Sequence, residues 1–102
     1  MKPEEQRIAI AEACGWYADD RPGYWGNDQL QRITTTEQLP DYLNDLNAMH
    51  EAEKVLNEVQ WCDYWSNLDD VCRCENTYHG ICRATSPQRA EAFLRTIGKW
   101  KD

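Results

Sequence analysis

Residues 39–59, LPDYLNDLNAMHEAEKVLNEV, carry the longest helical period in the chain. Apolar side chains recur there mainly at steps of three and four residues, which is the spacing of one face of an α-helix. The set comprises Leu39, Tyr42, Leu43, Leu46, Met49, Leu56 and Val59. Pro40 suits a first helical turn, and Asp41 beside it is favoured by the helix dipole. The pattern predicts one long helix with one buried face.

Three further segments carry helical spacing or helix-boundary signals. Residues 3–14 begin with a proline and two glutamates and end at Gly15, which tolerates the left-handed conformation that often ends a helix. Residues 60–75 repeat apolar side chains at helical intervals, either continuous with the second helix or separated from it by a bend. Residues 87–97 have an apolar face, with Ser86 as the expected cap and a proline after it. About four helices are therefore predicted.

A small antiparallel sheet is predicted from aromatic and β-branched runs. Residues 16–27, WYADDRPGYWGN, place aromatic pairs on both sides of a Pro-Gly turn, which is typical of a hairpin. Residues 28–38 are compatible with another extended piece, and residues 77–83, TYHGICR, with a late strand that joins the hairpin. Helices that cover such a sheet define an α+β fold in one domain, residues 1–102.

The net charge of −7 is unevenly distributed. Residues 37–75 hold ten acidic and two basic side chains, whereas residues 76–102 hold two acidic and five basic ones. An acidic surface repels phosphate backbones and anionic membranes, but it can cover a basic protein surface that normally holds nucleic acid. The acidic side chains that would do so are Asp41, Asp45, Glu51, Glu58 and Asp63. The competing interpretation is a solvated helical face that only keeps the protein in solution.

The sequence also predicts a cytosolic protein that makes no direct contact with nucleic acid or membrane. No apolar run approaches the roughly 18 residues that a membrane-spanning helix needs, and the N-terminal residues lack the apolar core of a signal peptide. Five cysteines are an odd number, and nothing marks the chain for export. We therefore expect reduced thiols and no disulfide framework.

The aromatic residues are a candidate ligand site. Flat rings can hold a nucleobase by stacking, and an arginine such as Arg21, Arg83 or Arg89 could meet its phosphates. The rings are Trp16, Tyr17, Tyr24 and Trp25 on the predicted hairpin and Trp61, Tyr64 and Trp65 on the predicted third helix. The competing interpretation is that they pack in the protein's own core. Any ring left exposed would mark a partner or ligand surface.

A candidate zinc set consists of Cys72, Cys74, His79 and Cys82. All four are zinc-ligand types, and four donors complete a tetrahedral site. The C-x-C spacing departs from the C-x-x-C knuckle of structural zinc loops, so ordinary thiols are the preferred interpretation, and no metal or other cofactor is predicted. Nucleophilic catalysis by a cysteine and a histidine lacks any local signature here, and adjacent carboxylates diverge. These patterns disfavour an enzyme.

Two long blocks go beyond general patterning: residues 40–56, PDYLNDLNAMHEAEKVL, and residues 84–100, ATSPQRAEAFLRTIGKW. They resemble the signature blocks of small bacteriophage and prophage proteins that carry the phage ABA-sandwich domain. The opening EEQRIAIAEACGW, residues 4–16, is similar to the start of that family. Residues 57–82, which hold four of the five cysteines, do not match it. The resemblance implies an α-β-α layered sandwich and a phage or prophage origin, and it carries no catalytic motif.

Two classes of function are compatible with these features. The preferred hypothesis is a non-enzymatic accessory protein that antagonises antiviral defence in the cytoplasm of the bacterial host. It would act either as an acidic inhibitor of a host defence protein or by sequestering a nucleotide immune signal between aromatic rings. The alternative is a structural module that forms a homo-oligomer or docks on another phage protein. The residues expected to bind are Trp16, Tyr24, Trp25, Asp41, Asp45, Glu51, Trp61, Trp65 and Arg83.

Overall fold

A computed structural model of the protein describes residues 1–74 and 84–101. In that part of the chain the order is α1 (Pro3–Ala13), β1 (Tyr17–Ala18), β2 (Tyr24–Asn27), β3 (Arg32–Thr35), a 3₁₀ turn (Thr36–Gln38), α2 (Leu46–Glu53), α3 (Glu58–Cys74) and α4 (Ser86–Thr96). Helices combined with an antiparallel sheet confirm the predicted α+β class. None of the helices in these two ranges is both long and apolar enough to cross a bilayer.

The first helix begins and ends where the sequence predicts. Pro3 occupies its first turn, and two glutamates follow near the positive end of the helix dipole. Gly15 has a φ of 97°, so the chain leaves α1 through a conformation that costs little only for glycine. The Trp16 amide then donates to the Ala11 carbonyl at 3.0 Å. This bond turns the chain towards the sheet.

The sheet is a meander with the strand order β1-β2-β3. Tyr17 on β1 pairs with Gly26 on β2. A Cβ at Gly26 would lie 2.9 Å from the Tyr17 ring, so only glycine lets that ring lie across the strand. The hairpin prediction is confirmed, with Gly23 at a φ of 80° in the turn. Residues 28–38 supply β3, whereas the late strand predicted at residues 77–83 lies outside the described residues.

The prediction of one continuous helix over residues 39–59 is wrong. α2 begins only after Asp45, because the Asp45 side chain accepts hydrogen bonds from the amides of Asn47 at 3.0 Å and Ala48 at 3.4 Å. A carboxylate in this position satisfies amides that have no partner inside the helix. Residues 41–44 form a turn instead of the predicted helix start.

A second break separates α2 from α3 because Asn57 and Gln60 cap each other's backbone. The Gln60 amide donates to Asn57 Oδ1 at 2.8 Å, and the Asn57 amide donates to Gln60 Oε1 at 2.9 Å. The apolar period runs across both breaks, so periodicity alone does not reveal them. Leu46 and Val59, which the continuous helix would turn to the core, are 41% and 73% exposed.

The last helix is capped by Thr85, one residue earlier than the Ser86 cap that the sequence predicts. Thr85 is extended, its hydroxyl accepts from the Gln88 amide at 3.3 Å, and its own amide donates to Gln88 Oε1 at 2.8 Å. This reciprocal pair is a capping box, which requires a glutamine or glutamate three residues after the cap. The glutamine at position 88 therefore selects Thr85, and Ser86 becomes the first helical residue.

α4 lies at the centre of the helical core, and α1, α2 and α3 all pack against it. The largest fully buried side chains are Tyr64, Phe93, Ile10, Met49, Leu68 and Leu94. Trp16 is buried in the same core, and Trp25 on β2 is half-buried against it. These two tryptophans connect the sheet to the helices.

Candidate binding site

A cleft of about 300 Å³ lies where four separate segments meet. They are the end of α1, the turn between β2 and β3, residues 40–42, and α2 with the turn that follows it. Its lining includes the side chains of Cys14, Trp16, Leu30, Tyr42, Glu51 and Val55. We refer to this site as the α1–α2 cleft. Its walls come together only when the sheet docks on the helices.

The floor of the α1–α2 cleft brings together the side chains of Cys14, Trp16 and Tyr42. Trp16 and Tyr42 are buried there. Burial raises the pKa of Tyr42 well above its ordinary value of 10.0. Burial also raises the pKa of Cys14 above 9.0, although the neighbouring Tyr42 hydroxyl opposes that shift. The thiol is therefore protonated near neutral pH and is a poor nucleophile.

The entrance of the α1–α2 cleft carries two exposed apolar side chains and one acidic side chain. Leu30 is 55% exposed and Val55 is 47% exposed. The Glu51 carboxylate accepts a hydrogen bond from Lys54 Nζ at 2.9 Å, and both side chains lie in solvent. Exposed leucine and valine side chains around a cavity are typical of a surface that becomes covered by another molecule.

A larger groove of about 550 Å³ lies between α1 and the C-terminal segment at residues 97–101. Glu5 and Glu12 on α1 and Lys99 and Lys101 on that segment line it. None of the described residues that the sequence proposes for binding lines this groove. It is therefore a second concave surface and has no link to the predicted site.

All five acidic side chains proposed for partner binding are exposed: Asp41, Asp45, Glu51, Glu58 and Asp63. Two of them also have a structural role within the chain. Asp45 caps α2, and the Asp41 carboxylate accepts two hydrogen bonds from the side-chain Nδ2 of Asn44 at 3.1 and 3.2 Å. Glu58 and Asp63 lie on the first turns of α3. The prediction of an exposed acidic segment therefore agrees with the structure.

The proposed aromatic site is divided between core and surface. Trp16 and Tyr64 are buried, so they cannot stack on a ligand from solvent. Trp61, Tyr64 and Trp65 contact one another on α3, with ring centroids 5.5 to 5.8 Å apart. That separation lies within the range of about 4.5–7 Å for direct ring contact, so no base fits between Trp61 and Trp65.

The two exposed tyrosine rings of the hairpin already have partners. The Tyr17 hydroxyl donates to Asp28 Oδ1 at 2.8 Å, and the Arg21 guanidinium lies 4.6 Å from the centre of the Tyr24 ring. The half-buried Trp25 donates its indole N–H to the Thr36 hydroxyl at 2.9 Å. Arg83, proposed as a phosphate contact, lies outside the described residues.

A buried ionic cluster around Glu53 was missed by the sequence reasoning. Arg89 Nη1 donates to Glu53 Oε2 at 3.0 Å, the Tyr64 hydroxyl donates to the same oxygen, and His50 Nδ1 lies 2.8 Å from Oε1. Glu53 and Arg89 are 3% and 7% exposed, so each charge is balanced inside the protein. Burial and the bond to Glu53 raise the pKa of Tyr64 far above 10.0. Glu53 and Arg89 are 36 positions apart, and no local pattern links them.

The candidate zinc set falls only partly within the described residues. Cys72 is buried on α3 and Cys74 is its last residue, whereas His79 and Cys82 lie outside the described ranges. Over residues 1–74 and 84–101, no group of three or more His, Cys, Asp or Glu side chains is arranged to hold a metal ion. The described free thiols are Cys14, Cys62 and Cys72.

Comparison of the chain with protein-family models, with curated proteins and with solved structures gave no match. The class that the geometry defines is a small α+β protein with an apolar cleft beside an exposed acidic segment.

Proposed function

We propose that this protein acts by binding, and that its acidic segment at residues 41–63 contacts a basic surface of a protein partner. The partner class is a bacterial defence protein that meets this chain in the host cytoplasm, as the resemblance to phage ABA-sandwich proteins implies. In this proposal the chain covers a surface that otherwise holds nucleic acid, and it catalyses no reaction.

The exposure of the acidic segment is the observation that carries the proposal. Residues 41–63 contain six acidic side chains and one basic side chain, Lys54. Glu53 is buried against Arg89, and the other five acidic side chains face solvent. Lys54 is paired with Glu51 on the same helix. The outer surface of this segment is therefore negative, which favours encounter with a basic partner.

The exposed side of α3 extends this surface. Val59, Asp63 and Asp70 are separated by four and seven residues, so they project from one side of the helix, and all three are exposed. Val59 is 73% exposed. An apolar side chain beside carboxylates supplies buried area as well as charge when a partner covers it.

Sequestration of a nucleotide signal has less support than contact with a protein. The ring geometry on α3 leaves no space for a base, and the exposed hairpin rings are held by Asp28 and Arg21. The α1–α2 cleft contains Glu51 in its lining, and a carboxylate repels phosphate. These contacts favour an acidic inhibitor of a protein over sequestration of a nucleotide signal.

A structural or assembly module is the second candidate function, and the exposed Val59 and Trp65 on α3 favour it. Such a module would bury both side chains in a stable homo-oligomer or against another phage protein. Light scattering tests the homo-oligomer, which must have at least twice the mass of the single chain.

The test of the binding proposal is capture from a bacterial host lysate with two charge-matched variants. Asp41→Asn/Glu58→Gln/Asp63→Asn removes three charges from the acidic segment, and Glu4→Gln/Glu5→Gln/Glu12→Gln removes three from α1. We expect the first variant to lose roughly tenfold in recovery of the captured protein and the second to retain it. Higher salt should weaken capture by the unmodified chain, since the contact is exposed and ionic. Equal recovery with both variants would rule out the proposal.

A further inference from the structure

We propose that the α1–α2 cleft is an anchor pocket for one leucine or phenylalanine side chain, carried by a basic segment of the protein partner. This inference rests on the proposed function and specifies the chemistry of the segment that the partner presents.

The size of the α1–α2 cleft is compatible with a single large side chain. Its volume of about 300 Å³ is at the lower end of the range of roughly 300–1,000 Å³ for pockets that hold whole ligands. One large apolar side chain fits within this space. In protein interfaces, side chains of this kind fill pockets near the centre and supply much of the binding energy.

The entrance of the cleft is lined by apolar side chains from two different turns. Leu30 comes from the turn between β2 and β3, and Val55 comes from the turn after α2. The two side chains are about half exposed in the free protein, so they lose further apolar surface when a side chain enters. Removing apolar surface from water on both molecules is favourable.

The Asn27 side chain in the lining of the cleft is already hydrogen-bonded within the protein. Its Oδ1 accepts from the amides of Gln29 and Leu30, and its Nδ2 donates to the Cys14 carbonyl at 3.4 Å. These polar groups have their partners within the protein. A leucine or phenylalanine can therefore cover them without leaving a buried group unpaired.

Charge complementarity argues that basic residues flank the anchor. Glu51 is the charged side chain in the cleft lining, and Asp28 and Asp41 are the sequence neighbours of lining residues. Two cations of the neighbouring helices already have partners: Lys54 donates to Glu51, and Arg7 donates to the carbonyls of Glu37, Leu39 and Pro40. Lysine or arginine on both sides of the anchor would meet this acidic rim.

The test is an NMR titration of the whole chain with acetyl-Lys-Phe-Lys-amide, and with acetyl-Lys-Ala-Lys-amide as the charge-matched control peptide. We expect saturable shifts of the amide signals of Cys14, Leu30, Ala48 and Val55 with the phenylalanine peptide. Its affinity should exceed that of the alanine peptide by about tenfold, because only the phenylalanine ring is large enough to fill the cleft. Equal affinities, no saturable shifts, or shifts confined to α3 would overturn the anchor pocket.

Three variants assign the effect to the cleft. Ala48→Leu places a larger side chain in the lining, and Val55→Ser removes one side of the entrance. Both should lower the affinity for the phenylalanine peptide by about fivefold or more, while Ile33→Ser, at an exposed isoleucine outside the cleft, should leave it unchanged. Equal effects of Val55→Ser and Ile33→Ser would contradict the proposal. If peptide binding fails while the acidic-segment variant still loses its captured protein, the anchor pocket is wrong and the proposed function stands.

Discussion

Glu53 is a carboxylate held inside the helical core by side chains from three helices. His50 lies one turn before it on α2, Tyr64 comes from α3, and Arg89 comes from α4. A buried ion pair contributes little when compared with an apolar pair of the same shape, but removing one partner leaves an unbalanced charge in a medium of low polarity. The cluster therefore fixes how the three helices meet more than it adds to stability.

We expect Arg89→Met to destabilise the fold by about 3–5 kcal/mol, because it leaves the Glu53 carboxylate buried without its cation. The double variant Glu53→Gln/Arg89→Met should lose clearly less, since glutamine is neutral and can still accept a hydrogen bond from Tyr64. Urea unfolding of the two variants beside the unmodified protein measures the difference.

Lys54→Met is the control for that measurement, because the Lys54–Glu51 pair lies in solvent, with both side chains about 70% exposed. An exposed pair of this kind contributes about 0–1 kcal/mol. A loss for Arg89→Met no larger than for Lys54→Met would show that Glu53 is not held as a buried charge.

At the scale of the elements, side-chain caps decide where the helices start. Asp45 begins α2, the Asn57–Gln60 pair begins α3, and Thr85 begins α4. Each cap satisfies amides that the first turn of a helix leaves without a partner. Without these caps, the apolar spacing over residues 39–59 is equally compatible with one uninterrupted helix.

Asp45→Ala is expected to destabilise the fold by about 1 kcal/mol, because the amides of Asn47 and Ala48 lose their acceptor. Asp41→Ala removes the same charge, but there the lost hydrogen bonds join two exposed side chains, Asp41 and Asn44. We expect the Asp41 variant to lose under about 0.5 kcal/mol. Thermal unfolding followed by circular dichroism compares the two, and equal losses would argue against Asp45 as the start of α2.

The elements that sequence patterns predict well are those specified by neighbouring residues. α1, α3, α4 and the hairpin follow from apolar spacing, Pro3, Gly15 and the Pro-Gly turn, all of which act within a few positions. The helix boundaries within residues 39–59 were predicted less accurately. An aspartate such as Asp45 can cap the start of a helix or lie on its solvent-exposed face, and the sequence pattern is the same in both cases. Tertiary contact decides between the two.

At the scale of the whole molecule, the candidate site could be predicted only in part. The sequence identifies Glu51 as exposed and acidic, and it identifies Trp16 as aromatic. It does not show that Trp16 is buried, or that Tyr42 and Cys14 meet beneath Leu30 and Val55. That meeting joins positions far apart along the chain, so only the packed fold reveals the cleft.

Burial holds the side chains of Cys14, Tyr42 and Tyr64 in their neutral, protonated forms. Burial is the largest cause in each case, and it raises the pKa of Cys14 above 9.0 and the pKa of both tyrosines above 10.0. At a pH above these ordinary pKa values, the folded state keeps protons that the unfolded state has lost. Stability must therefore fall as pH rises, and it is fully present below about pH 9.

We expect the free energy of unfolding to be level between about pH 7 and pH 8.5 and to decline above roughly pH 9.5, with each retained proton contributing about 1.4 kcal/mol per pH unit. Urea unfolding at a series of pH values measures the slope. Tyr42→Phe keeps the buried ring and removes one titrating group. The slope of that variant above about pH 10 should be smaller by close to one proton. An unchanged slope would mean that Tyr42 ionises as readily in the folded state as in the unfolded chain, and that the floor of the α1–α2 cleft is open to water.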